Sequence, residues 1–396
     1  MRIAILTTAY PNFLNELYSQ NPGLKDQSYD RQLAARNASL FGFADFYSRG
    51  FRAHGHDAKE FHLNNPWMQY AWMREHGLST PPAEFLRSDR TPPPSPLKRL
   101  LAPLRPLLGP IGRRLRRHRL PDWQAIILRA QIEAYQPDII LNQEPAAVRG
   151  DFLSGLRKPG RRIVGQIASA LPEGENFRAY DLMISSLPNF VRKFRARGVP
   201  AAFNKLTFEA SIPGIIGPAK RDIPLSFVGN ISLDHSRRLA WLEHLARNTP
   251  LKIWGSGMER VPRASPLHAC HQGEAWGRAM YKILGRSRLT LNNHIDLAED
   301  DANNLRLYEA TGMGAALLTD AKHNLHEIFA PGEVAAYTSN DDCVRQIRAL
   351  LEDEACCAAM GHAGQRRTLD DHNYFRRTSE MLEILDGVMK GKEKFR

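Results

Sequence analysis

Two acidic side chains in the second half of the chain, Asp301 and Glu309, have a spacing that could do chemistry. The stretch 301–314 predicts a helix with an acidic start and an end marked by Gly312 and Gly314, followed directly by an apolar strand. Eight steps of about 100° would place both carboxylates near one helix face, about two turns apart. A helix N-terminus binds anions, and a carboxylate accepts hydrogen bonds from a diol. The pattern therefore favours a ligand that carries both phosphate and sugar hydroxyls.

Neighbouring side chains on the same predicted helix add to this pattern. Arg306 lies three residues before Glu309, so it could pair with that carboxylate or bind a diphosphate through its guanidinium. Asn303 and Asn304 fall in the predicted first turn, where backbone N–H groups await an acceptor. Asp301 has two interpretations as well, because aspartate is a good N-cap residue and could also contact a sugar.

The elements that must position these residues alternate between strands and helices. In the first half, apolar strands are expected at 3–6, 55–61, 138–141, 162–167 and 182–185, with helices at 29–52, 123–135 and 188–197. In the second half, strands are expected at 225–228, 251–254, 289–292 and 315–319, with a helix at 236–248. This alternation is typical of βαβ units and parallel sheets. Such sheets bind ligands at the carboxyl ends of their strands, so the loops are expected to converge on one cleft.

The turn-rich stretch 211–221 predicts an interdomain linker. We therefore expect an acceptor-side domain at 1–212, a donor-binding domain at 222–372, and a final helix and tail at 373–396. Gly229 and Gly255 end two strands of the second domain, where glycine either admits a ligand or simply makes a turn.

The second half of the chain resembles a known family. The run Asn304-x-Arg306-x-x-Glu309-Ala-Thr-Gly-x-Gly-Ala is similar to bacterial group 1 glycosyltransferases that include spore-maturation-type proteins. The acidic-x7-Glu spacing, with Glu327 downstream, resembles the donor half of GT-B glycosyltransferases. The resemblance extends more weakly into the first half, through 45–48, 165–168 and 180–186. It implies an α/β fold with two Rossmann-like, doubly wound domains facing a central cleft, and a last helix that crosses back onto the N-terminal domain.

The resemblance also implies roles for individual residues. Glu309 would hydrogen-bond the ribose of a nucleotide, and Asp301 would contact the transferred sugar, which makes these two the candidate catalytic residues. Retaining members usually carry Glu where this chain has Asp301, so retaining and inverting outcomes both stay open. Together with the strand-end positions, the resemblance indicates donor-binding residues at Gly229, Arg237, Gly255, His294, Asn303, Asn304, Arg306, Glu309, Thr311 and Glu327.

Several of these residues have an ordinary structural explanation. Arg237 could be part of a solvated helix start, and His294 could be a buried structural histidine. On the acceptor side, Asp30, Asp45, His54 and Glu144 are candidate general bases, and no neighbouring pattern selects one of them. We expect no metal and no cofactor, because the paired acids do not form a DxD pattern and basic residues can stabilise the leaving group.

Bulk properties narrow the class of protein. A chain of 396 residues with 43% apolar residues suits two domains. Without an apolar run of about 18 residues, a membrane span is not expected. The first residues are typical of a strand rather than a signal peptide, and the four cysteines show no CxxC pair. These features predict a cytoplasmic location.

The net charge of +12 is concentrated in 97–120, within a Pro-rich insertion at about 80–121. Leucines at near-helical spacing accompany the basic residues there, which favours an anionic membrane surface at the inner face of the cytoplasmic membrane. A solvated insertion on the acceptor side is the alternative. Nucleic acid is not an expected partner, because no binding module accompanies the charge.

The sequence thus predicts a metal-independent glycosyltransferase. It would move a sugar from a nucleoside diphosphate sugar to a hydroxyl of a glycan, lipid-linked or protein acceptor. A nucleotide-sugar epimerase of the same architecture and a non-catalytic nucleotide-sugar or glycan-binding protein are the alternatives. The nucleotide base, the sugar, the linkage and the oligomeric state do not follow from the sequence.

Overall fold

The computed structural model describes residues 1–78, 122–231 and 236–391. The predicted basic insertion, including 97–120, lies outside the described residues, and so does the side chain of Arg237. The chain forms two compact units. The first consists of Met1–Arg36, His56–Ile167 and Leu171–Met183, and the second of Asn37–Gly55, Ala168–Ala170 and Ile184–Arg396. Both units combine segments from distant parts of the chain. This division does not test the predicted domain boundaries near 212 and 222, which stay predictions.

The first sheet has six strands in the order β2-β1-β3-β4-β5-β6. The strands are β1 (Arg2–Thr7), β2 (Asp57–His62), β3 (Ile139–Asn142), β4 (Arg162–Gln166), β5 (Leu182–Ser185) and β6 (Ala201–Phe203). The helices of this part are α1 (Pro11–Gln20), α2 (Tyr29–Ala38), α3 (Phe46–Ala53), α4 (Pro66–Glu75), α5 (Asp122–Tyr135), α6 (Gly150–Ser154) and α7 (Pro188–Arg195). All four residues of β3 and of β5 are buried, which explains why these strands are continuous apolar runs rather than alternating ones.

The second sheet is parallel throughout, in the order β11-β10-β9-β7-β8. Its strands are β7 (Ile223–Val228), β8 (Leu251–Trp254), β9 (Ser287–Leu291), β10 (Ala316–Asp320) and β11 (Ala335–Tyr337). The helices are α8 (Ile212–Ile216), α9 (Ser236–Asn248), α10 (Leu267–Cys270), α11 (Arg278–Arg286), α12 (Leu305–Gly312), α13 (Asn340–Glu352), α14 (Glu354–Asp371) and α15 (Tyr374–Met389). Two parallel sheets with flanking helices confirm the predicted α/β class.

The last helix, α15, packs against α3, and both helices belong to the second compact unit, so the predicted crossing onto the N-terminal domain stays a prediction. The ring of Tyr374 lies 5.3 Å from that of Phe46 and 5.1 Å from that of Tyr47, measured between centroids. A Cβ on Gly50 would come within 2.6 Å of the Thr378 side chain. The glycine therefore permits the close approach of the two helices.

Two predicted helices differ from the observed ones. The helix expected at 29–52 is divided into α2 and α3, because the chain turns through positive φ angles at Leu40, Gly42 and Ala44. The helix expected from 301 begins only at Leu305, because the Asn304 side chain caps it by accepting a hydrogen bond from the backbone N–H of Leu307. Asp301 therefore lies in a loop, and its predicted place on one helix face with Glu309 is wrong.

Two further observations bear on the predicted compartment. All four cysteines are free thiols, of which Cys343 and Cys357 are buried. Within the described ranges, none of the helices combines the length and apolar character needed to cross a bilayer. A cytoplasmic location and attachment to a membrane surface stay predictions.

Candidate functional site

The carboxyl ends of β7 and β9 form the topological switch point of the second sheet. β8 lies beside β7 on one side, and β10 lies beside β9 on the other. Because connections leave such a point in opposite directions, a crevice opens there, and open α/β sheets bind their ligands in it. The loops that leave this point carry Gly229, His294 and the residues that precede α12.

A chain of amide and hydroxyl hydrogen bonds fixes the start of α12 to the sheet. Asn304 donates from Nδ2 to Asn292 Oδ1 at 2.7 Å, and Asn292 donates from Nδ2 to Thr319 Oγ1 at 2.8 Å. Since the Asn304 Oδ1 also caps the helix, this predicted donor-binding residue acts in the structure to position the helix N-terminus.

His294 forms a buried pair with Asp320 at the ends of β9 and β10. The backbone N–H and the Nδ1 of His294 lie 3.0 and 2.7 Å from one carboxylate oxygen of Asp320. Burial opposes ionisation of Asp320, but the hydrogen bonds and charge of His294, helped by Lys322, outweigh it and lower the pKa of the carboxyl. The His294 ring is fully buried and its Nε2 has no hydrogen-bond partner. The predicted donor-binding His294 is thus a buried residue that joins the ends of β9 and β10.

Arg238, the neighbour of the predicted Arg237, provides a cation at the Gly229 loop. Its Nη2 donates to the backbone oxygen of Asn293 at 2.9 Å, and its Nη1 donates to that of Asn230 at 3.4 Å. Burial lowers the pKa of this guanidinium, but arginine keeps its proton in proteins. A positive charge is therefore held beside the loops that follow both β7 and β9.

Glu309 and Arg306 face each other on α12. Arg306 Nη1 lies 3.0 Å from Glu309 Oε2, and the two side chains are only 15% and 12% exposed. Tyr281 donates from its hydroxyl to the other Glu309 oxygen at 3.5 Å. Neither Nε nor Nη1 of Arg306 makes a hydrogen bond. The guanidinium is thus buried with unused donors, which fits both an ion pair with Glu309 and a phosphate contact.

Asp301 lies on the wall of a polar pocket of about 680 Å³, together with Asn303 and Glu327. The Asp301 residue is 6% exposed, and its carboxylate lies 3.4 Å from Nδ1 of the exposed His323. Lysine side chains line the same pocket. The structure therefore brings three predicted residues together, but in a pocket whose lining does not include Arg306 or Glu309.

Gly229, Gly255 and Thr311 have packing roles. A Cβ on Gly255 would lie 1.8 Å from the carbonyl oxygen of Gly229, so glycine here allows two strand-end loops to approach each other. The Thr311 side chain is fully buried, and its hydroxyl bonds the Leu307 carbonyl and the Thr368 hydroxyl, both at 2.6 Å. The structure does not bring Thr311 to a ligand-accessible surface.

A comparison with protein families finds a similarity in the second half of the chain. Residues 237–383 match the family described as glycosyl transferase-like, a segment that includes Asp301, Arg306 and Glu309. A search of curated proteins finds no match to the chain. Similar solved structures exist, at low identity, for sucrose-phosphate synthase from Thermosynechococcus elongatus, for HepE from Anabaena in complex with UDP-glucose, and for AviGT4, a glycosyltransferase involved in avilamycin A biosynthesis.

The structural likeness spans nearly the whole chain. Sucrose-phosphate synthase is 12% identical with a TM-score of 0.55, over 99% of this chain and 100% of that one. HepE is 10% identical with a TM-score of 0.55, over 98% and 100%. AviGT4 is 12% identical with a TM-score of 0.53, over 99% and 98%. At 10–12% identity this likeness shows the fold: the chain has the GT-B fold of these structures, as predicted. The similarity to the glycosyl transferase-like family covers residues 237–383, less than half of the chain.

The candidate site also contains residues that were not predicted from the sequence. Asp320 ends the apolar strand β10, and Asn292 directly follows β9, so their strand-end positions were a usable signal. Tyr281 lies on α11, and no local pattern connects it with Glu309. Within the part of the chain that the structure describes, no group of three or more His, Cys, Asp or Glu side chains could hold a metal ion. Metal independence stays a prediction.

Among the four candidate bases, Glu144 has the environment that suits proton transfer. It follows β3 at the switch point of the first sheet, where β1 and β3 are neighbours. Burial raises the pKa of its carboxyl, and hydrogen bonds from Thr8 only partly offset this. By contrast, His54 stacks on Phe375 and its Nε2 contacts the carbonyl of that residue.

Proposed function

We propose that the protein transfers a glycosyl group from a nucleoside diphosphate sugar to a hydroxyl of a glycan, lipid-linked or protein acceptor, without a metal. The observation that carries this proposal is the Arg306–Glu309 pair, which offers a mostly buried carboxylate and unused guanidinium donors on α12, the helix that follows the switch-point strand β9. Uridine diphosphate is the first donor nucleotide to test, because HepE, which shares the fold, is known in complexes with UDP-glucose and UDP.

In the proposed donor complex, Glu309 accepts hydrogen bonds from the two ribose hydroxyls. Arg306 uses its free Nε and Nη1 donors on the diphosphate, and the carboxylate beside it keeps the guanidinium oriented. Asn304 holds the helix start with its side chain, which leaves backbone N–H groups of the first turn for an anion. The donor would thus be held by residues of one helix.

The reaction breaks the bond between the anomeric carbon and the diphosphate oxygen, and the diphosphate leaves with the electron pair. The acceptor hydroxyl oxygen bonds the anomeric carbon and gives up its proton. Arg238 and Arg306 lower the energy of the charge that develops on the departing diphosphate, as fixed cations do in a site sheltered from water. The proton needs a general base, and Glu144 stays its candidate because burial raises the pKa of that carboxyl.

The test is calorimetric titration with UDP, ADP, GDP and dTDP, followed by a product assay. One nucleotide is expected to bind selectively, and its sugar conjugates are then incubated with and without glycan acceptors. Release of free nucleoside diphosphate that requires an acceptor indicates transfer, whereas acceptor-independent change of the sugar indicates epimerisation. Absence of binding by every nucleotide at millimolar concentration would refute the proposal.

A further inference from the structure

Two adjoining pockets of the second unit have a common wall. Phe203, Lys205, Glu327 and Ile328 line both of them. The larger pocket is the one that contains Asp301, and the smaller, of about 350 Å³, extends from it towards the start of α15. Together they form a groove long enough to hold more than one small polar group.

The walls of this groove contain buried polar atoms that have no hydrogen-bond partner. They are the Oγ of Ser186, both amide atoms of Asn204, the Nδ1 of His372 and the Nε of Arg377. Each of these residues is at most 7% exposed. An unsatisfied buried polar group costs about 1–3 kcal/mol, so a set of them in one groove points to a ligand that completes their hydrogen bonds.

The chemistry of these atoms distinguishes between ligand classes. His372 Nε2 lies 2.9 Å from the Ile328 carbonyl, which can only accept, so the ring proton is on Nε2. Burial lowers the pKa of His372, and the neutral ring therefore presents Nδ1 as an acceptor. Arg377 Nε can only donate, and Asn204 offers both functions. A carboxylate or a fully ionised phosphate group only accepts, whereas hydroxyl groups both donate and accept and can satisfy the whole set.

The two arginines of the smaller pocket also favour a neutral ligand, because both are paired with acids. Arg367 lies 2.9 Å from Glu333 and 2.7 Å from Asp371, and Arg377 pairs with Glu380. These two guanidinium groups are already compensated by carboxylates. An anion would have to compete with those pairs, while a neutral polyol leaves them in place.

Phe203 supplies the remaining feature of a carbohydrate site. Its ring is 41% exposed although it lies on the wall shared by two polar pockets. A sugar ring has apolar C–H faces as well as hydroxyl edges, and an aromatic ring packs against such a face. Apolar surface on one wall and a few convergent polar atoms on the others are typical of small-molecule sites.

We propose that this groove is a carbohydrate subsite that binds a neutral sugar unit of the acceptor. The sugar packs its C–H face on Phe203, and its hydroxyls bond Asn204, His372 and Arg377. The inference rests on the proposed function, and it names a glycan as the acceptor class. The Asp301 end of the groove would then face the donor sugar, and the α15 end would hold the glycan chain beyond it.

The experiment is saturation-transfer difference NMR on the full chain. The probes are the methyl glycosides of glucose, galactose, mannose and N-acetylglucosamine, with inorganic phosphate as the anionic probe. At least one glycoside should bind at millimolar concentration, and Phe203→Ala should weaken that binding about five- to tenfold through the lost ring contact. Phe375→Ala is the matched control, because Phe375 is 58% exposed and does not line either pocket.

The outcomes separate this proposal from the donor assignment. Glycoside binding that is weakened by Phe203→Ala and kept in Phe375→Ala supports the subsite, whether or not any nucleotide binds. Equal glycoside affinity in Phe203→Ala and the unchanged protein, or no glycoside signal at all, overturns it. Binding of inorganic phosphate that displaces the glycoside would also overturn it, since the groove would then be an anion site.

Discussion

Replacing Glu309 by glutamine tests the donor assignment most directly. The substitution keeps the shape of a side chain that is only 12% exposed, and it removes the charge that faces Arg306 at 3.0 Å. It also converts one of two acceptor oxygens into a donor. The proposed ribose contact and the observed ion pair are therefore both weakened, and the assay must measure them separately.

The structure sets the expected size of each effect. A hydrogen bond to a charged group contributes about 1.5–3 kcal/mol, so loss of one carboxylate–ribose bond should weaken nucleoside diphosphate binding about 10- to 150-fold. Exposed ion pairs contribute about 0–1 kcal/mol, whereas breaking a buried pair costs about 3–5 kcal/mol. The Arg306–Glu309 pair is mostly buried but lacks hydrogen-bond geometry, so it lies between an exposed pair and a buried one. We therefore expect Glu309→Gln to lower the free energy of unfolding by about 1–3 kcal/mol.

Glu333→Gln is the matched control for the loss of an ion pair. Glu333 is 14% exposed and pairs with Arg367 at 2.9 Å, and it is not among the predicted donor residues. Urea unfolding of both variants gives the stability cost, and calorimetric titration with UDP gives the affinity. Glu309→Gln should lose affinity and stability, while Glu333→Gln should lose stability alone. If both variants bind UDP with the affinity of the unchanged protein, Glu309 is a structural residue and the ribose assignment is refuted.

Other parts of the structure give three further predictions. Glu144→Gln should slow glycosyl transfer at least about 100-fold without changing UDP affinity, as expected for loss of a general base, and steady-state kinetics with parallel titration checks this. Folding lowers the pKa of the His372 ring. The contribution of the neutral ring to stability is therefore complete above the unfolded pKa of about 6.5, and it is lost as the pH falls through the folded pKa. Urea unfolding between about pH 5 and 7.5 should therefore show stability rising with pH, with a smaller slope in His372→Gln. Gly255→Ala should cost at least about 2 kcal/mol, because its Cβ would meet the Gly229 carbonyl oxygen at 1.8 Å, and thermal unfolding measures the loss.

Matched variants and contradicting results complete these three tests. Gly214→Ala is the matched control for Gly255→Ala, because a Cβ at Gly214 meets nothing within 4 Å. Equal melting temperatures for Gly214→Ala and Gly255→Ala would contradict the packing argument. For Glu144, a transfer rate close to that of the unchanged protein would remove it as the base. For His372, an unchanged pH slope in the variant would assign the effect to other groups that titrate in this range. The charged groups around the ring are Lys205, Asp371 and Arg377.

Much of the fold could be predicted because it depends on local patterns. Continuous apolar runs such as β3 and β10 form buried parallel strands wherever helices cover both faces of a sheet. The family resemblance in 304–315 predicted the fold that the structure shows, and Arg306 and Glu309 lie three residues apart on a helix as expected. These features need only the hydrogen-bonding period of a helix or strand and the burial of its apolar side.

The start of α12 could not be predicted from the local sequence. Several acids and amides between 300 and 304 are able to cap a helix, and a long-range contact decides among them. Asn304 is the cap because its Nδ2 bonds Asn292 beside β9, which no spacing within the segment predicts. As a result Asp301 faces a pocket rather than sharing a helix face with Glu309.

By itself, the amino-acid sequence determined the alternation of strands and helices, the α/β class and the residue types available for a phosphate and a ribose. Only the tertiary structure decided which side chains are buried without partners and which pockets they share. Ser186, Phe203, Asp301 and His372 come from four separate segments, and they line adjoining pockets only because the chain packs them together. Desolvation and unmet hydrogen bonds arise from that packing, so no local pattern could have revealed the groove.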